Sequence, residues 1–183
     1  MVTRYVAFLR GINVGGRTVT RDRFVPPFEA AGFRDVSTFI ASGNVIATTA
    51  ARTPAPVLEA ALEGELQKAF GFSVATFLRT DAEVGAIAAH DPFPAMTRDE
   101  THALHVMLLR TLPAADVQER LLAEQNDEDR FAFGGREFYW LRHGRMTDTT
   151  LPPAIVRMLS VGGQGTARNM TTIRRLAAKY PPG

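Results

Sequence analysis

No cysteine occurs in the 183 residues. That excludes disulfides, thiol nucleophiles, iron–sulfur clusters and cysteine-ligated zinc, and it suits a reducing compartment. Long hydrophobic runs are missing as well. The apolar stretch from Tyr5 stops at Arg10, too short to cross a bilayer and without the cleavage site of a secretory signal. A cytoplasmic location with no membrane partner is the expectation. Lysine is scarce: Lys68 and Lys179 stand against nineteen arginines. A formal charge of only +2 therefore coexists with a pI near 9.4, because few groups titrate between neutrality and arginine. The arginines are interspersed with acids, as along residues 20–24 and 124–130, instead of forming the basic stripe of a nucleic-acid binder. Nucleic acid is not the expected partner. The four histidines are scattered. His102 and His105 are three apart in a strand and face opposite sides, so neither a metal site nor a cofactor is expected.

What is present is ordinary in composition and ordered in pattern. Hydrophobic residues make up 45% and charged residues 22%, the balance of a globular chain with an adequate core. Strand-like runs at residues 3–9, 36–40, 44–48 and 74–78 alternate with helical runs at 22–31 and 57–70. Pro26 and Pro27 imply that the first helix starts late or is kinked, since proline fits only the first helical turn. The order β-α-β-β-α-β is the split βαβ, or ferredoxin-like, arrangement. A helix at 81–89, capped by Thr80 or Asp81, and a proline-bearing stretch at 91–98 follow. The order then starts again, with strands at 103–109, 130–133 and 137–141 and helices at 114–123 and 153–159. A last helix at 171–179 stands where a final strand is due. The expected fold is therefore α+β. It has a ferredoxin-like half over residues 1–80, a linking helix and loop over 81–98, and a second ferredoxin-like half, β-α-β-β-α with an extra C-terminal helix, over 99–183.

This topology places the loop leaving the first strand beside the hairpin leaving the second, because those strands run parallel. Residues 11–16 and 42–44 are thus expected at one edge of the first sheet. Residues 110–113, 134–135 and 160–169 are expected at the matching edge of the second. Loops gathered at the edge of a rigid sheet are where sites are usually built.

Asparagine is also scarce, with four in the chain, yet Asn13, Asn44 and Asn169 all fall in glycine-rich turns. The segment Arg10-Gly11-Ile12-Asn13-Val14-Gly15-Gly16-Arg17-Thr18 is one substitution from a phosphate-cradling loop, with Arg17 in place of the lysine. It is not read as a nucleoside triphosphatase, since arginine's fork is a poor substitute for a compact ammonium and no helix starts there. It reads instead as a turn whose glycines supply positive φ, or as a nest of N–H groups holding an anion beside arginine. Ser42-Gly43-Asn44 reads as a tight hairpin turn, with a ligand-facing polar lining as its functional reading. Residues 162–172 combine a glycine-rich approach to a helix with Arg168, either a capped helix start or an anion site. The aromatic run Phe131, Phe133, Phe138, Tyr139, Trp140 alternates as a sheet packed on helices requires and reads as core.

Tyr5 to Gly16, Gly32-Phe33, Ser42-Gly43-Asn44-Val45 and Thr166 to Thr172 together resemble the bacterial "domain of unknown function 1697" family. The resemblance implies an α+β fold of two ferredoxin-like halves and brings no reaction with it. Met170 stands where the family commonly has an aromatic, and Pro26-Pro27 interrupts the first helix.

The leading functional expectation is a binding protein for a small anionic ligand, phosphorylated or nucleotide-like. Its candidate ligand-binding residues are Arg10, Gly11, Asn13, Gly15, Gly16, Ser42, Gly43, Asn44, Arg168 and Asn169. Two alternatives are an enzyme using Ser42 or a loop carboxylate at the same edge, and a protein- or nucleic-acid-interaction module.

Overall fold

The computed structural model describes residues 2–12, 19–40, 43–96, 102–143, 155, 157 and 165–183. The chain divides into two compact units, Met1–Ala88 with Arg175–Gly183, and Ala89–Arg174.

The first unit contains β1 (Thr3–Arg10), a 3-10 turn (Arg21–Phe24), α1 (Val25–Ala30), β2 (Arg34–Phe39), β3 (Asn44–Thr49), α2 (Ala55–Phe70), β4 (Ala75–Thr80) and α3 (Asp81–Ala89). The strands form one antiparallel sheet in the order β2-β3-β1-β4. Pro26 and Pro27 sit in the first turn of α1, so the helix starts late, and the residues before it take the 3-10 form. Ala7, Leu9, Val45, Ala47 and Leu78 alternate onto one face of the sheet and pack on Phe28 of α1 and Leu58, Leu62 and Leu66 of α2. α2 stops at Gly71, whose φ of 77° a residue with a side chain adopts at a cost. α3 starts with a reciprocal cap: the Glu83 N–H donates to Thr80 Oγ1 at 3.1 Å, and the Thr80 N–H donates to Glu83 Oε2 at 2.7 Å.

That second bond continues a row. β4 is an edge strand, and its outward N–H groups would invite another strand. The Thr76 N–H donates to Glu63 Oε1 at 2.7 Å and the Leu78 N–H to Glu59 Oε1 at 2.8 Å, both carboxylates coming from α2. Arg79 Nη1 donates to the Leu78 carbonyl at 2.9 Å. Glutamates therefore occupy the outward N–H groups of Thr76, Leu78 and Thr80.

The second unit contains β5 (His102–Leu109), α4 (Ala115–Ala123), β6 (Asp129–Gly134), β7 (Glu137–His143), β8 (Gly165–Asn169) and the start of α5 (Met170–Lys179). Its sheet order, β6-β7-β5-β8, repeats that of the first unit, and all its pairings are antiparallel. The α+β class expected from the sequence holds. One element corrects it: a fourth strand, β8, stands where the sequence reading has a glycine-rich loop. Gly165 makes this pairing possible, because a Cβ there would lie 2.7 Å from Met107 Cγ and 2.8 Å from Leu109 Cδ2. The helix expected at residues 153–159 lies outside the described residues, apart from the helical Ile155 and Arg157.

The aromatics of the second unit are core, as their alternation requires. Phe131, Phe138 and Trp140 pack with Val117, Leu121 and Ile155. Trp140 Nε1 donates to Asp129 Oδ1 at 2.6 Å, and Arg142 Nη1 donates to the same oxygen at 3.2 Å. His105 packs on Trp140 with ring centroids 5.2 Å apart and the planes tilted by 31°. Its Nδ1 is buried without a hydrogen-bond partner among the described residues, and burial pushes its pKa below the ordinary value, against a smaller upward effect of the Ala103 backbone.

Candidate functional site

The two expected corners of the first sheet do meet. β1 and β2 both run antiparallel to β3, so they are parallel to each other, and both finish at the same edge. The Leu9 N–H donates to the Gly43 carbonyl at 2.8 Å, which ties the end of β1 to the β2–β3 corner. Gly43 has φ 72°, and a Cβ there would lie 3.3 Å from the Leu9 carbonyl oxygen and 3.7 Å from Ile12 Cβ. Glycine is required at this corner by conformation and by space together. Gly11, with φ 80°, turns the chain out of β1 in the same region.

Ile40 closes β2 with φ 49° and is 44% exposed. A β-branched residue in the left-handed region is strained, and such strain tends to gather at functional sites. It sits on the wall of a cavity of about 610 Å³ between the end of β1, the 3-10 turn and the β2–β3 corner. Ile12, Val19, Phe24 and Val45 give this cavity an apolar lining. Thr20, Arg21, Asp22, Thr38 and Asn44 add polar groups. Arg21 and Asp22 are exposed, and among the described residues neither side chain forms an ion pair or a hydrogen bond.

The sequence candidates fall into three groups. Arg10, Gly11, Gly43 and Asn44 stand at this edge, with Arg10 exposed at the last position of β1 and Gly43 and Asn44 lining the cavity. Asn44 is fully buried, and its Nδ2 donates to the Phe39 carbonyl at 3.2 Å, a bond that closes the hairpin. Asn13, Gly15, Gly16 and Ser42 lie outside the described residues.

Arg168 and Asn169 form the third group, and the structure corrects their setting. They lie on β8 of the second unit, not in a loop, because β8 pairs with β5 opposite Val106 and His105. Arg168 is 9% exposed, and its Nη1 donates to Thr166 Oγ1 and to the Ala167 carbonyl, both at 2.8 Å. Burial lowers its pKa from the ordinary guanidinium value to about 10, so it remains a cation at neutrality. Asn169 Oδ1 accepts the Thr171 N–H at 2.8 Å and caps α5, the expected capping role.

The sequence profile described as Protein of unknown function (DUF1697) matches residues 2–139. The chain belongs to this family. A search of curated proteins finds no match. Among solved structures, this DUF1697 chain is similar to the conserved bacterial protein SP0830 from Streptococcus pneumoniae. The TM-score is 0.76, with 19% identity over the full length of both chains. At that identity the likeness speaks to the fold. No helix among the described residues of the DUF1697 chain is long and apolar enough to cross a membrane, and no metal-binding group of three or more histidines and carboxylates occurs among them.

Sequence reasoning missed Arg21, Asp22 and Ile40. The signal for the first two lay in Pro26-Pro27. By delaying the helix, the prolines leave the preceding arginine and aspartate in a 3-10 turn at the rim of the sheet. Read as one more stretch of mixed charge, the pair looks like ordinary surface.

Proposed function

We propose that this DUF1697 chain, which we read as two tandem ferredoxin-like subdomains, is a cytoplasmic protein that binds a small anionic ligand at the first unit's loop edge. The ligand would be phosphorylated or nucleotide-like and carry an apolar portion. The observation that supports this reading is the cavity of about 610 Å³, whose walls are mainly apolar but whose rim carries the cation Arg21, which has no ion-pair partner among the described residues. Arg10 and the left-handed glycines Gly11 and Gly43 border the same edge, which adds a second guanidinium to it. An apolar wall suits a ring or short aliphatic part, and a guanidinium suits a phosphate or carboxylate through paired N–H bonds.

The test is a thermal-shift panel of inorganic phosphate, sugar phosphates and nucleoside phosphates on the full chain. A ligand at one hundred times its Kd stabilises the native state by about 2.7 kcal/mol, a shift of several degrees in a domain of this size. At least one compound should produce it, and Arg21→Ala should remove most of it. A flat panel, or a shift untouched when Arg10 and Arg21 are both replaced by alanine, would overturn the reading.

A further inference from the structure

We infer that the ligand of this cavity is a ribonucleoside 5′-monophosphate, with Asp22 accepting hydrogen bonds from the sugar hydroxyls. The inference rests on the anion-binding reading above and narrows it. Arg21 and Asp22 are adjacent in the 3-10 turn, both line the cavity, and neither has an ion-pair partner among the described residues. A polyanion with phosphates spread along the cavity would set one of them against the Asp22 carboxylate, so Asp22 selects against it. At neutral pH a carboxylate only accepts hydrogen bonds, so the part of the ligand beside it must donate them.

The lining therefore divides the ligand into three parts. A single anionic group meets Arg21. A hydroxyl-bearing part meets Asp22, with the Thr20 and Thr38 hydroxyls on the same lining. A flat or apolar part meets Ile12, Phe24 and Val45. A nucleoside monophosphate has these parts in that order. Inorganic phosphate leaves the apolar wall wet, and a bare nucleoside leaves Arg21 without its counter-charge. The cavity volume lies within the range of pockets that enclose molecules of that size.

The experiment is calorimetric titration of the full chain with the four ribonucleoside 5′-monophosphates, their 2′-deoxy counterparts, adenosine and inorganic phosphate. The titrations are repeated on Asp22→Asn. Asp22 is exposed and bonds to nothing among the described residues, so that variant keeps the fold. At least one ribonucleotide should bind. Its deoxy counterpart should bind about tenfold more weakly, the scale of one hydrogen bond to a partly solvated charge. Asp22→Asn should shrink that preference to less than about threefold. Adenosine and phosphate should each be weaker than the best ribonucleotide by more than tenfold. Equal binding of ribo and deoxy forms, or an unchanged preference in Asp22→Asn, overturns this inference and leaves the anion-binding reading standing. Binding of a non-nucleotide phosphate with no nucleotide binding does the same. If no phosphate compound binds at all, both fall.

Discussion

Glu59 offers a quantitative test of how the first unit protects its sheet. This α2 residue is 1% exposed, and its Oε1 accepts the N–H of Leu78 on the edge strand at 2.8 Å. Glu59→Ala removes a charge-assisted bond and leaves a buried N–H unpaired. A bond of this kind contributes about 1.5–3 kcal/mol net, and an orphaned buried N–H costs about 1–3 kcal/mol. The two figures describe the same loss from two sides, so the expected destabilisation is about 2–3 kcal/mol. For a chain of this length that lowers Tm by about 5–10 °C. Glu59→Gln keeps a carbonyl oxygen for the Leu78 N–H and removes the charge, so it should cost less than alanine, about 1 kcal/mol. Thermal unfolding followed by far-ultraviolet circular dichroism measures both. Equal losses for alanine and glutamine would refute the reasoning, since the missing acceptor would then not be the cause. So would an alanine variant as stable as the parent.

Three further outcomes are expected. Ile40→Asn relieves a strained left-handed conformation and should raise stability by about 1 kcal/mol in urea unfolding, while weakening ligand binding by removing part of the cavity wall; a loss of stability would contradict the strain. Asp129→Ala removes the acceptor of both Trp140 and Arg142 and should cost about 3 kcal/mol, read by the fluorescence of Trp140, the single tryptophan in the chain. An unchanged unfolding midpoint would mean that the network is incidental. His105 has its pKa lowered in the folded state, so the unfolded chain binds more protons as pH falls below about 6.5, and His105 then costs stability. Urea midpoints at pH 7 and 5.5 should lie closer together in His105→Phe than in the parent, and an unaltered gap would count against the buried neutral imidazole.

Much of the architecture was legible because it rests on local chemistry. β1 and β3 are short runs of strand-forming residues bounded by glycine turns, Gly71 ends α2, and Gly43 marks the hairpin. Each follows from backbone or side-chain preference within a few residues. β8 was not legible, because Gly165-Thr166-Ala167-Arg168-Asn169 has a single β-branched residue among glycine, alanine, arginine and asparagine, a poor composition for a strand. It is a strand through its pairing with β5, a tertiary cause that a short window does not contain. The site shows the same division. The meeting of the Gly11 and Gly43 corners followed from strand order alone, whereas Ile40 in a left-handed conformation runs against the preference of its own side chain. Arg168, by contrast, carried a plausible charge in the sequence, but in the folded unit its guanidinium turns back on its own strand.

The central claim is that the cavity at the first unit's loop edge is where a ligand binds. Amide chemical-shift mapping tests it directly, with ¹⁵N-labelled full chain titrated with the phosphate compound that gives the largest thermal shift. The account predicts that the perturbed amides cluster at Ile12, Thr20, Arg21, Asp22, Gly43 and Asn44. Perturbations centred instead on β8 and its neighbours, or spread over the surface without a focus, would contradict it.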